Sequence, residues 1–102
     1  MKVWWGNASW YGPTFQGRTT ASGELYDMSA YTAAHTSLPF GSVVRVVNTR
    51  NGKSTVVRIN DRGPYVDGRE MDLSYEAAAR IGLISRGVGR LRMELLEVPQ
   101  SR

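Results

Sequence analysis

Four of the nine acidic residues, together with the only histidine, stand where a proton could be moved. The segment Thr19-Thr20-Ala21-Ser22-Gly23-Glu24-Leu25-Tyr26-Asp27 is small, polar and poor in β-branched apolar residues, so it reads as a loop that turns Glu24 and Asp27 to solvent or to a cleft. The alternative is that Asp27 caps a turn and Glu24 is an ordinary surface charge. In Arg58-Ile59-Asn60-Asp61-Arg62-Gly63-Pro64-Tyr65 an apolar strand runs into a polar cluster before a Gly-Pro turn. Asp61 is thereby set at a strand end, where a sheet holds the backbone still while the side chain reaches out. There the alternative is a carboxylate that pairs with Arg58 or Arg62, or accepts turn amides, and so makes a poor proton donor. Asp72, in Arg69-Glu70-Met71-Asp72-Leu73-Ser74, reads first as a cap ahead of a helix. His35 has no companion histidine or cysteine, and no serine sits in a nucleophile-elbow pattern. The plain reading is a satisfied structural imidazole, with neither metal nor other cofactor.

The elements that must position these groups are mostly strands. Ser42-Val43-Val44-Arg45-Val46-Val47-Asn48 and Ser54-Thr55-Val56-Val57-Arg58-Ile59-Asn60 flank Asn51-Gly52, a pair suited to a tight hairpin turn with positive φ at both central residues. Leu91, Met93 and Leu95 alternate with Arg90, Arg92 and Glu94, the period of a strand with one buried face. Ser74 to Ile81 reads as a short helix, with Ser74 as its cap and Gly82 at its stop. Short strands, frequent turns and one or two small helices favour a closed barrel over an open sheet.

At 102 residues the chain is one domain long, and no repeat, linker or low-complexity stretch divides residues 1–102. With 41% hydrophobic residues, including Trp4, Trp5 and Trp10, it has the side chains for a core, and a monomer is expected. The absence of cysteine excludes disulfides, thiolate zinc sites and a cysteine nucleophile. No 18-residue apolar span and no signal core follow the start, so any export signal or anchor is expected to lie outside this sequence. The net charge of +4 comes from 13 basic residues, 11 of them arginine, interspersed with acids. Such a surface favours polyanions in general, but without a basic run or stacking motif a nucleic-acid partner is not expected.

Five segments carry a resemblance. Gly6-Asn7-Ala8-Ser9-Trp10-Tyr11-Gly12, Thr20-Ala21-Ser22-Gly23-Glu24, Thr32-Ala33-Ala34-His35, Val57-Arg58-Ile59-Asn60-Asp61-Arg62-Gly63-Pro64 and Met71-Asp72-Leu73-Ser74 closely resemble the rare lipoprotein A family in order and spacing, over about Gly6 to Val98. The resemblance implies a mainly β fold, a six-stranded double-psi β-barrel like that of expansins. It also implies a lytic transglycosylase of the periplasm or cell envelope that acts on peptidoglycan glycan strands. The family's functional glutamate, histidine and aspartate fall at Glu24, His35 and Asp61.

On that resemblance the bond broken is the β-1,4 link between N-acetylmuramic acid and N-acetylglucosamine, whose cleavage needs a proton on the leaving oxygen. Asp61 is given that role, then acts as base on the muramic acid C6 hydroxyl as it attacks C1 and closes a 1,6-anhydro ring. Glu24 and His35 flank the site, orienting the sugar or supplying a nearby negative charge, and Glu24 stays open as the alternative donor. Tyr11 and Tyr65 are candidates to stack on sugar rings, with Trp10 preferred as core. Asn60 is a candidate to hold an acetamido group, and Ser22, Asp27, Arg62 and Asp72 join them as substrate contacts. The rival reading is a module that binds wall polysaccharide, or loosens it as expansins do, without cutting it.

Overall fold

Val44 and Val46 point inward from one strand of the expected hairpin and Val57 and Ile59 from the other, so both must close on a common interior. In the computed structural model, which describes residues 2–99, that interior is the inside of a barrel. Its strands are β1 (Lys2–Trp10), β2 (Thr32–His35), β3 (Val43–Asn48), β4 (Lys53–Asp61), β5 (Met71–Leu73) and β6 (Gly89–Glu97). They close in the order β1-β5-β2-β4-β3-β6. The pairs β1/β5 and β2/β4 are parallel and the other four antiparallel, so the chain crosses the barrel twice: the double-psi arrangement. Met1 and residues 100–102 of the expected 1–102 domain lie outside the described residues.

Among the described residues one helix, α1 (Tyr75–Arg80), and a single 3-10 turn (Pro13–Phe15) complete the elements. Ser74 caps α1 by accepting the Ala77 amide at 3.2 Å, and Gly82 follows it at φ 73°. The buried face of α1, Ala77 and Ala78, joins Val44, Val57, Ile59 and Leu91 in one apolar cluster. Each of the larger side chains contributes about 1.5–3 kcal/mol by leaving water. Trp10 packs against this cluster and meets Tyr75 edge-on at 5.6 Å. Among the described residues no helix is long and apolar enough to cross a membrane.

The β3–β4 turn differs from the expected one. Asn48 pairs with Lys53, which leaves a four-residue loop, and no described residue other than glycine has a positive φ. Asn51 is therefore not in the left-handed conformation that a two-residue type I′ turn requires, and Gly52 alone is, at φ 77°. The longer loop frees the Asn51 side chain, whose Nδ2 donates to the Ile81 carbonyl at 3.0 Å and joins the hairpin tip to the end of α1.

Candidate active site

The end of β4 is irregular. Ala33 of β2 pairs with Ile59, but Ala34 pairs with Asp61, so Asn60 is an extra residue bulged out of the parallel ladder. A bulge breaks the in–out alternation and re-aims the residues around it. Here it buries Asn60 and brings Asp61 to the barrel mouth, half-buried. Three donors fix the Asp61 carboxylate: the Ala21 amide (2.8 Å) and the Arg62 amide (2.8 Å) to Oδ1, and the Tyr11 hydroxyl (2.6 Å) to Oδ2. Burial first, and the hydrogen bond to Asp61 second, push the Tyr11 phenol well above the ordinary tyrosine range, so it is a constant donor.

Asp61 faces a groove of about 290 Å³ that it shares with Tyr11, Tyr26, Arg62, Tyr65 and a second carboxylate, Asp72. That volume is at the lower end for small-molecule sites. Asp72 does not cap α1, as its sequence position suggests. It belongs to β5, where Met71 and Leu73 turn inward and Asp72 outward, and its Oδ1 accepts the Ser9 hydroxyl of the neighbouring β1. Tyr65 stands at the groove edge, 80% exposed. The Arg62 guanidinium lies 4.1 Å over the Phe40 ring and donates to the carbonyls of His35 and Leu38.

Glu24 lies outside the lining of that groove. The Thr19–Leu25 bridge and the hydrogen bond from the Thr20 amide to the Glu24 carbonyl (2.7 Å) make its loop a tight turn. The Glu24 carboxylate meets Arg58 through both guanidinium nitrogens at 2.6 and 2.8 Å, with Asn60 Nδ2 3.5 Å away. The Arg58 hydrogen bonds hold Glu24 below the usual carboxylate range, with Asn60 assisting. Ser22 turns its hydroxyl to Thr20 at 3.1 Å, and Asp27 accepts the amide and hydroxyl of Ser29 at 3.0 and 2.7 Å, the capped turn that is the plain reading of its sequence.

His35 ends β2 with its ring buried. Nδ1 accepts the amides of Ser37 and Leu38, both at 3.1 Å, and Nε2 meets Glu70 Oε2 at 3.1 Å. The same Glu70 oxygen accepts the Trp4 indole N–H, and the Trp4 ring stands edge-on to the imidazole at 6.3 Å. Trp4, His35, Leu38 and Glu70 line a second cleft, which shares no residue with the groove of Asp61.

The family profile described as "Lytic transglycolase" matches residues 4–93. The chain belongs to the lytic transglycolase family. The rare lipoprotein A likeness of the five sequence segments points the same way: over 93 residues the chain is 57% identical to the "Endolytic peptidoglycan transglycosylase RlpA" of Vibrio cholerae, covering 91% of this chain and 35% of that protein. The chain spans about a third of the length of the curated relatives it matches. Among solved structures, the Streptomyces papain inhibitor is similar with TM-score 0.74 at 24% identity, covering 94% of this chain and 96% of that one. The apo form of the Clavibacter michiganensis expansin is similar with TM-score 0.73 at 20% identity, covering 98% and 53%. At these identities the two show the fold alone.

Within the lytic transglycolase family, the three positions that the resemblance marks have different surroundings in this chain. Asp61 faces the open groove, Glu24 is clamped by Arg58, and His35 is held by Glu70 in the second cleft. Of the candidate substrate contacts, Tyr11, Arg62, Tyr65 and Asp72 line the groove with Asp61, whereas Ser22, Asp27 and Asn60 do not. Sequence reasoning passed over Glu70. No local signal marks it, because it precedes β5, whose three residues are too few to show a period.

Proposed function

We propose that this domain carries the catalytic centre of an endolytic peptidoglycan transglycosylase that works as a monomer in the bacterial cell envelope. The observation that carries the reading is the pair Asp61 and Asp72 facing one open groove, in a chain 57% identical to a protein named for that activity. Cleavage needs a proton on the leaving oxygen, and Asp61 is the group that carries it. Asp61 donates that proton to the glycosidic oxygen, which leaves with the bonding electrons as the hydroxyl of N-acetylglucosamine. The C6 hydroxyl of N-acetylmuramic acid attacks C1 and returns its proton to Asp61, giving a 1,6-anhydro end with no water consumed. Asp72 supplies the neighbouring negative charge, one of the two roles that the resemblance leaves open for Glu24. Glu24, fixed ionised by Arg58, acts as an orienting group beside Asn60 and is not the donor. The reaction balances without a cofactor, and the partner is a glycan strand, not a nucleic acid.

The test is to incubate the protein with purified peptidoglycan and analyse the released muropeptides by mass spectrometry, beside Asp61→Asn and Glu24→Gln variants. Anhydro-muropeptides are expected from the parent, with a fall of about 10²–10⁴ in rate for Asp61→Asn, the range for removal of a general acid. Reducing ends in place of anhydro ends mean hydrolysis and overturn the ring-closing step. Intact glycan overturns the enzymatic reading. The three donors already on Asp61 favour one rival, a groove that holds glycan without cutting it, because they suit a fixed acceptor. Co-sedimentation with insoluble wall material, with no soluble product, is the outcome that rival requires.

A further inference from the structure

We propose that His35 is a positioning residue, oriented by Glu70, that holds the Thr36–Leu38 segment and through it Arg62 and Asp61, and that it carries no proton in the reaction. The proposal rests on the glycan-cleaving reading of the Asp61 groove and deepens it by removing one candidate acid–base group.

A general acid or base needs a ring nitrogen within reach of the reacting atom. His35 has none to offer. Nδ1 accepts two backbone amides, Ser37 and Leu38, and a nitrogen in that role bears no hydrogen, so the ring proton sits on Nε2 and points at Glu70. Glu70 is itself fixed by the Trp4 indole and lies close over Gly6, where an added Cβ would come within 2.7 Å of Oε1. The His35 side chain is 7% exposed and opens, where it opens at all, on the second cleft.

Its backbone points the other way. The carbonyls of His35 and Leu38 both accept Arg62 Nη1, at 3.2 and 2.8 Å, and the Arg62 amide donates to Asp61 Oδ1 at 2.8 Å. Nδ1 is what closes the turn that aims the Leu38 carbonyl. Without an acceptor there, two amides lose their partner, the turn opens, and Arg62 and the β4 bulge lose their anchor. A displacement near 1 Å at a reacting group costs on the order of 10²-fold in rate.

Two isosteric variants separate the roles. His35→Asn places an amide oxygen near the position of Nδ1 and keeps the acceptor, whereas His35→Gln reaches only toward the position of Nε2. For His35→Asn we expect kcat within about tenfold of the parent. For His35→Gln and His35→Ala we expect a fall of about a hundredfold with KM little changed. In ¹⁵N NMR spectra the Asp61 and Arg62 amide signals should stay in place in His35→Asn and move in the other two. The imidazole of the unsubstituted protein, which needs no variant to fold, should show the tautomer with its proton on Nε2. A proton on Nδ1 at pH 7.5 overturns the proposal. So does a His35→Asn variant as slow as His35→Ala with its Asp61 and Arg62 amides unmoved, the behaviour of a lost proton carrier. A parent that releases no anhydro ends counts against the glycan reading alone, and the amide and imidazole signals then decide the positioning role by themselves.

Discussion

Tyr11 holds the end of β4 to the first strand. Its hydroxyl reaches Asp61 while its ring lies against Tyr26 at 4.7 Å and Phe15 at 5.5 Å. The sequence marks this tyrosine as a sugar-stacking candidate; in the structure its ring is engaged by aromatic neighbours and its polar end by the carboxylate. A hydrogen bond to a charged group is worth about 1.5–3 kcal/mol, so Tyr11→Phe should lower the rate of anhydro-muropeptide release between about tenfold and a hundredfold, with the circular dichroism spectrum unchanged. A Tyr11→Phe rate equal to the parent's would show that Asp61 needs no such donor. Asp61 is legible in the sequence as a strand-end acid because Val57 and Ile59 run straight into it. The turn amide of Arg62 is legible with it, but Tyr11 is not, since it is fifty positions away and only the parallel crossings bring it near. Glu24 has the same limitation: nothing local assigns it to Arg58, which lies on another element.

Among the elements, those whose signal is local are the ones the sequence displays. The β3–β4 hairpin follows from alternating valines and α1 from Ser74, three alanines and Gly82. Ser74 does more than cap. Its Oγ accepts the Ala77 amide and donates to the Ala30 carbonyl at 2.6 Å, tying the helix start to the segment that leads into β2. Ser74→Ala should therefore cost about 1–2 kcal/mol, read as a lower urea midpoint with unchanged slope. An unchanged midpoint would mean that the cap contributes nothing. The elements hidden from sequence are those defined by their neighbours: β5 has three residues, too few to show a period, and the β4 bulge exists only because β2 lies beside it in parallel register.

For the whole molecule, pH is the accessible probe of its ion pairs. Arg58 holds Glu24 below the ordinary carboxylate range, and Arg45, with Arg92 assisting, does the same for Glu94 on the barrel exterior. A carboxyl whose folded value lies below its unfolded one adds stability that is fully present above the unfolded value, about 4, and is lost as pH falls through the folded one. The free energy of unfolding should be level from neutral pH to about pH 5 and decline below about pH 4. Both partners of the Glu24–Arg58 pair are 45% exposed, so solvent screening limits that pair to at most about 1 kcal/mol. Glu24→Gln should make the acid-side decline shallower by up to that amount in denaturant titrations from pH 7 to pH 2, and a decline as steep as the parent's would remove Glu24 from the account.

The first and last strands lie side by side, Lys2 opposite Leu95 and Ala8 opposite Gly89, and β1 also carries β5 on its other edge. A growing chain on the ribosome therefore has no cylinder to complete until β6 has emerged. Up to then β1 waits with one edge unpaired, exposed to mispairing with other chains. Truncation within β6 thus opens the wall against which β1 is seated, and Tyr11, which leaves β1 toward Asp61, loses its footing with it.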